Sequence, residues 1–69
     1  MIVCTLGKIM KERGLTNRDV VELTGVSRNT VKGFQTDSSR RIDFDTMYNL
    51  CVGLNVEPGD LFEIQTNNE

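Results

Sequence analysis

One short pattern occurs five times along this chain and constrains most of what it can fold into. In each copy a residue is preceded by an apolar residue and followed, four positions later, by another, which is the hydrophobic staple of a helix start. The central residues are Thr5, Thr16, Ser27, Asp43 and Glu57. Four of them can cap a helix through a side-chain oxygen. Glu57 is a poor cap, but Pro58 follows it at the first helical position, which proline favours. The pattern therefore predicts five short helices.

Apolar residues at helical spacing give the expected extent of each helix. Four helices are predicted over about 6–13, 17–24, 28–35 and 44–53, and a single helical turn over 58–61. The predicted core contains Leu6, Ile9, Val20, Val26, Val31, Phe34, Leu50, Leu54 and Leu61. Further residues predicted to face inward are Met10, Val21, Leu23, Met47 and Cys51. We therefore expect an all-α domain.

The two ends of the chain add a possible exception to this all-α pattern. Met1–Val3 is apolar and β-prone, and residues 61–64 partly alternate between apolar and polar types. The two segments can pair as a short β-ribbon, and the free edges of that ribbon could then pair with a second copy. The alternative is two disordered tails. The polar residues 65–69 are expected to be frayed.

The length of 69 residues predicts a single domain over 1–69. A chain of this size builds only a small core, so association into oligomers is a reasonable expectation. No apolar run approaches the ~18 residues of a membrane span. The N-terminus does not have the pattern of a signal peptide. A cytoplasmic protein without membrane contact is therefore expected.

Residues that could support catalysis or metal binding are few. The chain has no histidine, and Cys4 and Cys51 stand apart at apolar positions, which favours two reduced core thiols over a zinc site or a thiol enzyme. Asp43, Asp45 and Asp60 lie where carboxylates cap helices or favour their N-terminal dipole. The sequence therefore predicts neither an enzyme, nor a metal site, nor a cofactor, and it gives no sign of a small-molecule effector.

The charged residues are divided unequally along the chain. The overall net charge is −2, yet all eight basic residues lie in 1–41, where only four acids accompany them. Residues 42–69 contain six acids and no basic residue. Such asymmetry points to a polyanionic partner at one face of the molecule. The alternative is a chance division of a solvated surface.

The segment 15–35, LTNRDVVELTGVSRNTVKGFQ, has the layout of two helices joined by a tight turn. Thr16 and Asp19 can form a capping box at the start of the first helix. Gly25 stands where the chain needs a left-handed residue after that helix, and Ser27 can cap the second. This is the pattern of a helix-turn-helix, whose second helix enters the major groove of DNA.

The outward face of the second helix carries the candidate base-reading residues. Val31 and Phe34 are expected to face inward, which turns Arg28, Asn29 and Lys32 outward. Arginine can pair with guanine and asparagine with adenine, and Lys32 can reach guanine or a phosphate. The alternative is an ordinary solvated helix face.

The glycine in the middle of the same helix, Gly33, costs ~1 kcal/mol relative to alanine. Its presence has three possible explanations. It allows close approach of a groove wall or the DNA backbone, it marks an early helix end, or it is merely tolerated.

Candidate phosphate contacts flank the expected groove-binding helix on both sides. Asn17 lies in the first turn of the preceding helix, where free N–H groups and the positive dipole end favour an anion, and Arg18 is next to it. Ser38, Arg40 and Arg41, with Ser39 between them, follow the groove-binding helix. Such contacts fix register and carry little sequence information.

With these motifs in place, the chain resembles the Cro/C1-type helix-turn-helix family, the lambda-repressor-like domains. The resemblance covers about residues 5–62 and is carried by KIMKERGLTNRDVVELTGVSRNTV and FDTMYNLCVGLNVEPGDLFEI. It implies a five-helix domain with DNA contacts from Arg28, Asn29 and Lys32 and a phosphate contact at Asn17. Val21 departs from the family pattern, where alanine is common, and so do Gly33 and Phe34.

These features together predict a sequence-specific regulator that binds double-stranded DNA. We expect a repressor that occupies a palindromic operator as a homodimer, with half-sites about one helical turn apart. The competing hypothesis is an antitoxin-like module that uses the same fold to bind another protein.

Overall fold

The computed structural model describes residues 1–66, which form five helices and a two-stranded ribbon. The helices are α1 (Leu6–Arg13), α2 (Asn17–Thr24), α3 (Arg28–Gln35), α4 (Phe44–Leu54) and α5 (Pro58–Leu61), and the strands are β1 (Ile2–Cys4) and β2 (Phe62–Ile64). All five predicted helix starts are confirmed. The end of α4 lies one residue beyond its predicted position, because Asn55 adopts the left-handed conformation (φ +56°) that ends the helix.

The predicted side-chain caps of α2 and α4 are present. Thr16 Oγ1 accepts a hydrogen bond from the Asp19 amide at 3.1 Å, and the Asp19 carboxylate accepts from the Thr16 amide at 2.9 Å. Asp43 Oδ1 accepts from the Thr46 amide at 3.0 Å. The hydrogen bonds from Thr16 lower the pKa of Asp19, and those from Thr46 lower the pKa of Asp43. The first turn of each helix is therefore stabilised by a carboxylate whose ionised form is favoured.

The predicted side-chain cap at Thr5 is wrong, although α1 does begin at the next residue, Leu6. The Thr5 amide donates to Leu61 O at 2.7 Å and its hydroxyl donates to Asp60 O at 2.5 Å, so neither group serves the first turn of α1. Thr5 ends the paired part of the ribbon and has φ −98° and ψ 13°, unlike the extended caps of the other helices. Contacts with the distant end of the chain therefore outweigh the local cap.

The core forms where the five helices meet. It contains all nine residues predicted for it, and Met10 and Cys51 are buried as well. Burial raises the pKa of the Cys51 thiol, and half-burial does the same for Cys4. Both thiols are free.

The inward position predicted for Leu23 is wrong, because 52 % of that residue is exposed. The backbone of α2 approaches α4 closely here. A Cβ on Gly53 would lie 2.5 Å from Leu23 O and 2.7 Å from Thr24 Cγ2. Thr24 fills the contact, and its hydroxyl donates to Val20 O at 2.6 Å. Thr24, rather than Leu23, therefore places its side chain against α4.

This crossing gives a prediction for Gly53. Gly53→Ala is expected to lower the free energy of unfolding by about 1–2 kcal/mol, because the overpacking against backbone atoms exceeds the helix-propensity gain of alanine. Gly59→Ala is the matched control, since an added Cβ there meets nothing within 4 Å, and its effect should stay within about 0.5 kcal/mol. Urea melts of both variants test the difference, and equal effects would contradict the close crossing.

The predicted β-ribbon is present. β1 and β2 pair antiparallel, with Ile2 opposite Ile64 and Cys4 opposite Phe62. Met1 and Gln65 extend the pairing through two backbone hydrogen bonds of 2.8 Å, so the predicted fraying is wrong at Gln65. The rest of that prediction falls partly on residues 67–69, which lie outside the described residues.

Candidate nucleic-acid interface

The turn between α2 and α3 fixes the orientation of the second helix. Gly25 ends α2 with φ +74°, and its amide donates to Val21 O at 2.8 Å. Val26 then enters the core with 6 % exposure, and Ser27 Oγ accepts from the Thr30 amide at 3.3 Å to cap α3. The α2–turn–α3 unit is therefore the helix-turn-helix that the sequence predicts.

The outward face of α3 carries the three candidate base-reading residues. Val31 is fully buried and Phe34 is 4 % exposed, which leaves Arg28, Asn29 and Lys32 on the solvent side, and all three are exposed. No hydrogen bond or ion pair joins these three side chains to another residue of 1–66. Their donors and acceptors are therefore available to a ligand.

Arg18 lies close to this face. Arg18, Val21 and Arg28 line one small hollow where α2 meets α3, which brings a candidate phosphate residue next to a candidate base-reading residue. Arg18 Nε also lies 3.4 Å from Glu22 Oε2, with both side chains mostly exposed. Exposed pairs of this kind hold their partners only weakly, so Arg18 can exchange Glu22 for another anion. Asn17, the first residue of α2, is half-buried.

The loop that follows α3 packs closely against Gly33. The amides of Ser38 and Ser39 both donate to Gly33 O, at 2.9 and 3.1 Å, and a Cβ on Gly33 would lie 2.8 Å from Ser39 Oγ. An early helix end is wrong, because α3 continues to Gln35. The close approach at Gly33 is made by this loop of the same chain.

The remaining candidate phosphate residues lie on that loop. Ser38, Arg40 and Arg41 are exposed, and Ser38 Oγ lies 3.0 Å from Thr36 Oγ1. Arg40 and Arg41 line a second hollow beneath the ribbon, together with Phe34, Ile42 and Phe62. The structure thus places these two arginines in a hollow separate from that of Arg18 and Arg28.

Asp37 is the residue at this site that the sequence reasoning missed. It adopts φ +58°, its Oδ1 accepts from the Cys4 amide at 3.3 Å, and its Oδ2 lies 3.8 Å from Arg40 Nη1. Asp37 therefore ties the loop to both β1 and Arg40. Two signals were available: aspartate tolerates the left-handed conformation, and it precedes Arg40 by three residues.

Groups suited to other chemistry are not gathered at this surface. Within residues 1–66, no three His, Cys, Asp or Glu side chains lie close enough together to hold a metal ion. None of the helices in this part of the chain is both long and apolar enough to cross a membrane. This face therefore offers a ligand the free hydrogen-bonding groups and the positive charge of α3.

Comparison with known protein families shows which family has this arrangement of helices. Residues 5–67 match the family model of the Cro/C1-type HTH DNA-binding domain. The chain belongs to this Cro/C1-type family. DNA is therefore the partner class of the domain, and the helix-turn-helix of α2 and α3 is the family's hallmark motif.

A solved structure is similar to this Cro/C1-type domain over nearly its whole length. It is the crystal structure of a putative DNA-binding protein from Bacteroides fragilis, with a TM-score of 0.73 and 27 % sequence identity. The similarity covers 91 % of this chain and 100 % of that chain. Comparison with curated protein sequences gave no match.

Proposed function

We propose that this protein is a sequence-specific transcriptional repressor that binds a palindromic operator in double-stranded DNA as a homodimer. The observation that carries the proposal is the outward face of α3. Three polar side chains, Arg28, Asn29 and Lys32, are free there on a helix whose other face is buried in the core through Val31 and Phe34. A rigid helix with free donors fits the reading of base edges in the major groove.

The proposal assigns direct base contacts to the start of α3. Arg28 and Asn29 occupy its first two positions, and the N-terminal end of a recognition helix contacts base edges in this class of motif. Arg28 pairs with guanine, Asn29 pairs with adenine, and Lys32, one turn later, contacts guanine or a phosphate.

Phosphate contacts come from both sides of that helix in this proposal. Asn17 and Arg18 offer the N-terminal turn of α2 and an adjacent cation on one side. Ser38, Arg40 and Arg41 serve on the other side. Asp37 ties this loop to β1 through the Cys4 amide, and its carboxylate lies 3.8 Å from Arg40 Nη1. These contacts position the domain and add affinity for any sequence.

Repression follows from the simplest use of such a domain. In this proposal, binding of the domain at a promoter blocks access to that promoter. Two copies related by a two-fold axis read a palindrome, which doubles the number of base contacts that specify the site.

Selection of bound sequences from random duplexes, followed by titration of the selected site and a scrambled duplex at several salt concentrations, tests this function. We expect an enriched palindrome, and affinity for both duplexes that falls as salt rises because counterions are released. The selected site should bind at least about a thousandfold more tightly than the scrambled one. Absence of salt-sensitive duplex binding would replace this proposal with the antitoxin-like, protein-binding hypothesis.

A further inference from the structure

The apolar surface of α4 has no role in the helix-turn-helix or in the core. Phe44, Tyr48 and Val52 are 85 %, 67 % and 61 % exposed. Residues four positions apart on a helix lie above one another on the same side. The three side chains therefore form a continuous exposed row, which we call the α4 stripe.

An apolar groove runs along this stripe. Its lining includes Met47, Cys51, Val56 and Pro58, so it lies between α4 and the segment that leads into α5. Phe44, Tyr48 and Val52 all line this same groove. The surface thus combines two exposed aromatic rings with a recess that runs along α4.

We propose that a second copy of this chain docks on the α4 stripe, with the two α4 helices antiparallel about a two-fold axis that passes near Tyr48. This inference deepens the proposed function, because it supplies the interface of the dimer on which that function rests. The stripe is symmetric in spacing about its centre, since Phe44 and Val52 each lie four residues from Tyr48. A two-fold axis there sets Tyr48 against its own copy and Phe44 against Val52 and the groove of the other protomer. The same pair, Phe44 with Val52, thereby forms at both ends, as an isologous interface requires.

The exposed area agrees with a second copy as the occupant. Aromatic side chains bury about 150–250 Å² each when covered. At 85 % and 67 % exposure, the two rings leave on the order of 300 Å² uncovered on each protomer. That matches the largest apolar patches of monomeric proteins, which often have a function. Two such patches and the rims around them bury an area that approaches the lower end of the range for stable protein–protein interfaces. The dimer should therefore be reversible in the absence of DNA.

The charges around the stripe predict how this dimer responds to salt. Asp45 lies on α4, Glu57 lines the groove, and residues 42–66 carry no basic side chain. Docking of two copies therefore brings acidic rims together, and salt screens that repulsion. Association of the protein should tighten as salt rises, opposite to its binding of DNA.

The ribbon is the competing dimer surface, and its edge is less suited to the role. Each strand has three residues, and the Cys4 amide on the outer edge of β1 already donates to Asp37. An incoming strand at that edge would have to displace this bond. Ile2 and Ile64 do remain exposed, which makes ribbon pairing an outcome that the experiment must distinguish.

Sedimentation equilibrium of the full chain without DNA tests the interface, with Tyr48→Glu and Tyr48→Lys measured singly and as an equimolar mixture. We expect a reversible wild-type dimer and a dimer Kd raised about tenfold or more in each single variant, because a two-fold axis at residue 48 opposes like charges. The mixture should recover association as a heterodimer. Leu23→Lys is the matched control, because Leu23 is also an exposed apolar residue but lies on α2, and it should leave the Kd unchanged. Phe44→Ser provides an independent variant, and thermal melts confirm that each variant is folded.

Three results would overturn the inference. These are a wild-type chain that stays monomeric, Tyr48 variants that dimerise as wild type does, and an association lost on deletion of Met1–Val3 but kept in folded Tyr48 variants. The last result would assign the dimer to the ribbon. Failure of the proposed function gives a different result. A protein that dimerises through the α4 stripe but does not bind duplex DNA would contradict the proposed function and leave this interface supported.

Discussion

Replacing Leu50 by alanine is expected to lower the free energy of unfolding by about 2–5 kcal/mol. Leu50 lies in the middle of α4, is completely buried, and belongs to the cluster that joins the helices. Its truncation removes apolar burial and leaves a cavity that the surrounding helices fill only in part. Because domains are stable by only about 5–15 kcal/mol in total, the variant should unfold at a much lower urea concentration.

Leu23→Ala is the matched control for this prediction, since it makes the same chemical change at a residue that is 52 % exposed. Its cost should be less than half that of Leu50→Ala, because much of the side chain is already in water. Urea melts of the two variants give the comparison. A loss below about 0.5 kcal/mol at Leu50 would show that this residue does not belong to the core.

Replacing Arg28 or Asn29 by alanine is expected to cost about 1–3 kcal/mol on the selected DNA site and to relax discrimination at the base each one reads. Both side chains are exposed at the start of α3. Their removal therefore leaves the fold intact and deletes base-specific hydrogen bonds. Titrations on the selected and scrambled duplexes measure the loss separately for specific and non-specific binding.

Substitutions at Arg18, Arg40 or Arg41 should behave differently. Each should weaken binding to all duplexes about equally and reduce the salt slope by about one unit. Arg41 should show this most fully, because Arg18 and Arg40 lie 3.4 and 3.8 Å from carboxylates that already neutralise part of their charge. If Arg28→Ala lowers specific and non-specific affinity by the same factor, Arg28 is a phosphate contact. If neither the base-reading nor the phosphate substitutions change DNA binding, the α3 face does not contact DNA.

The sequence was a sound guide wherever the determining interactions are local. The starts of α2, α3 and α4 rest on a capping side chain three residues from its partner, as at Thr16 and Asp19. The ends of α1 and α2 rest on Gly14 and Gly25 in left-handed conformations. Such contacts form within one turn, so they can be predicted from residue type and spacing alone.

The outward face of α3 was predictable for a related reason. The burial of Val31 and Phe34 fixes the rotation of the helix, and the periodicity of 3.6 residues then places Arg28, Asn29 and Lys32 on the opposite side. The residues that make up the candidate site could therefore be predicted from the sequence alone. Its contacts with bases and phosphates remain predictions.

Tertiary structure decided the points at which segments distant in sequence meet. The hydroxyl and amide of Thr5 bond to Asp60 and Leu61 instead of capping α1, and the crossing of α2 and α4 at Gly53 sets the side chain of Thr24 rather than Leu23 against α4. The loop that contains Ser38 and Ser39 packs against Gly33. In each case the competing contact lies many residues away or depends on how closely two backbones pack, and neither quantity is encoded in local periodicity.

By itself, then, the sequence determined where the helices begin, which faces they bury and which polar groups α3 presents, because these follow from interactions within a few residues. Only the tertiary structure decided how the ribbon closes the chain, how Asp37 fixes the loop beside Arg40, and that Phe44, Tyr48 and Val52 remain uncovered. An apolar residue at helical spacing predicts burial against something. Whether that partner is the same chain depends on the space left once all the other elements have packed.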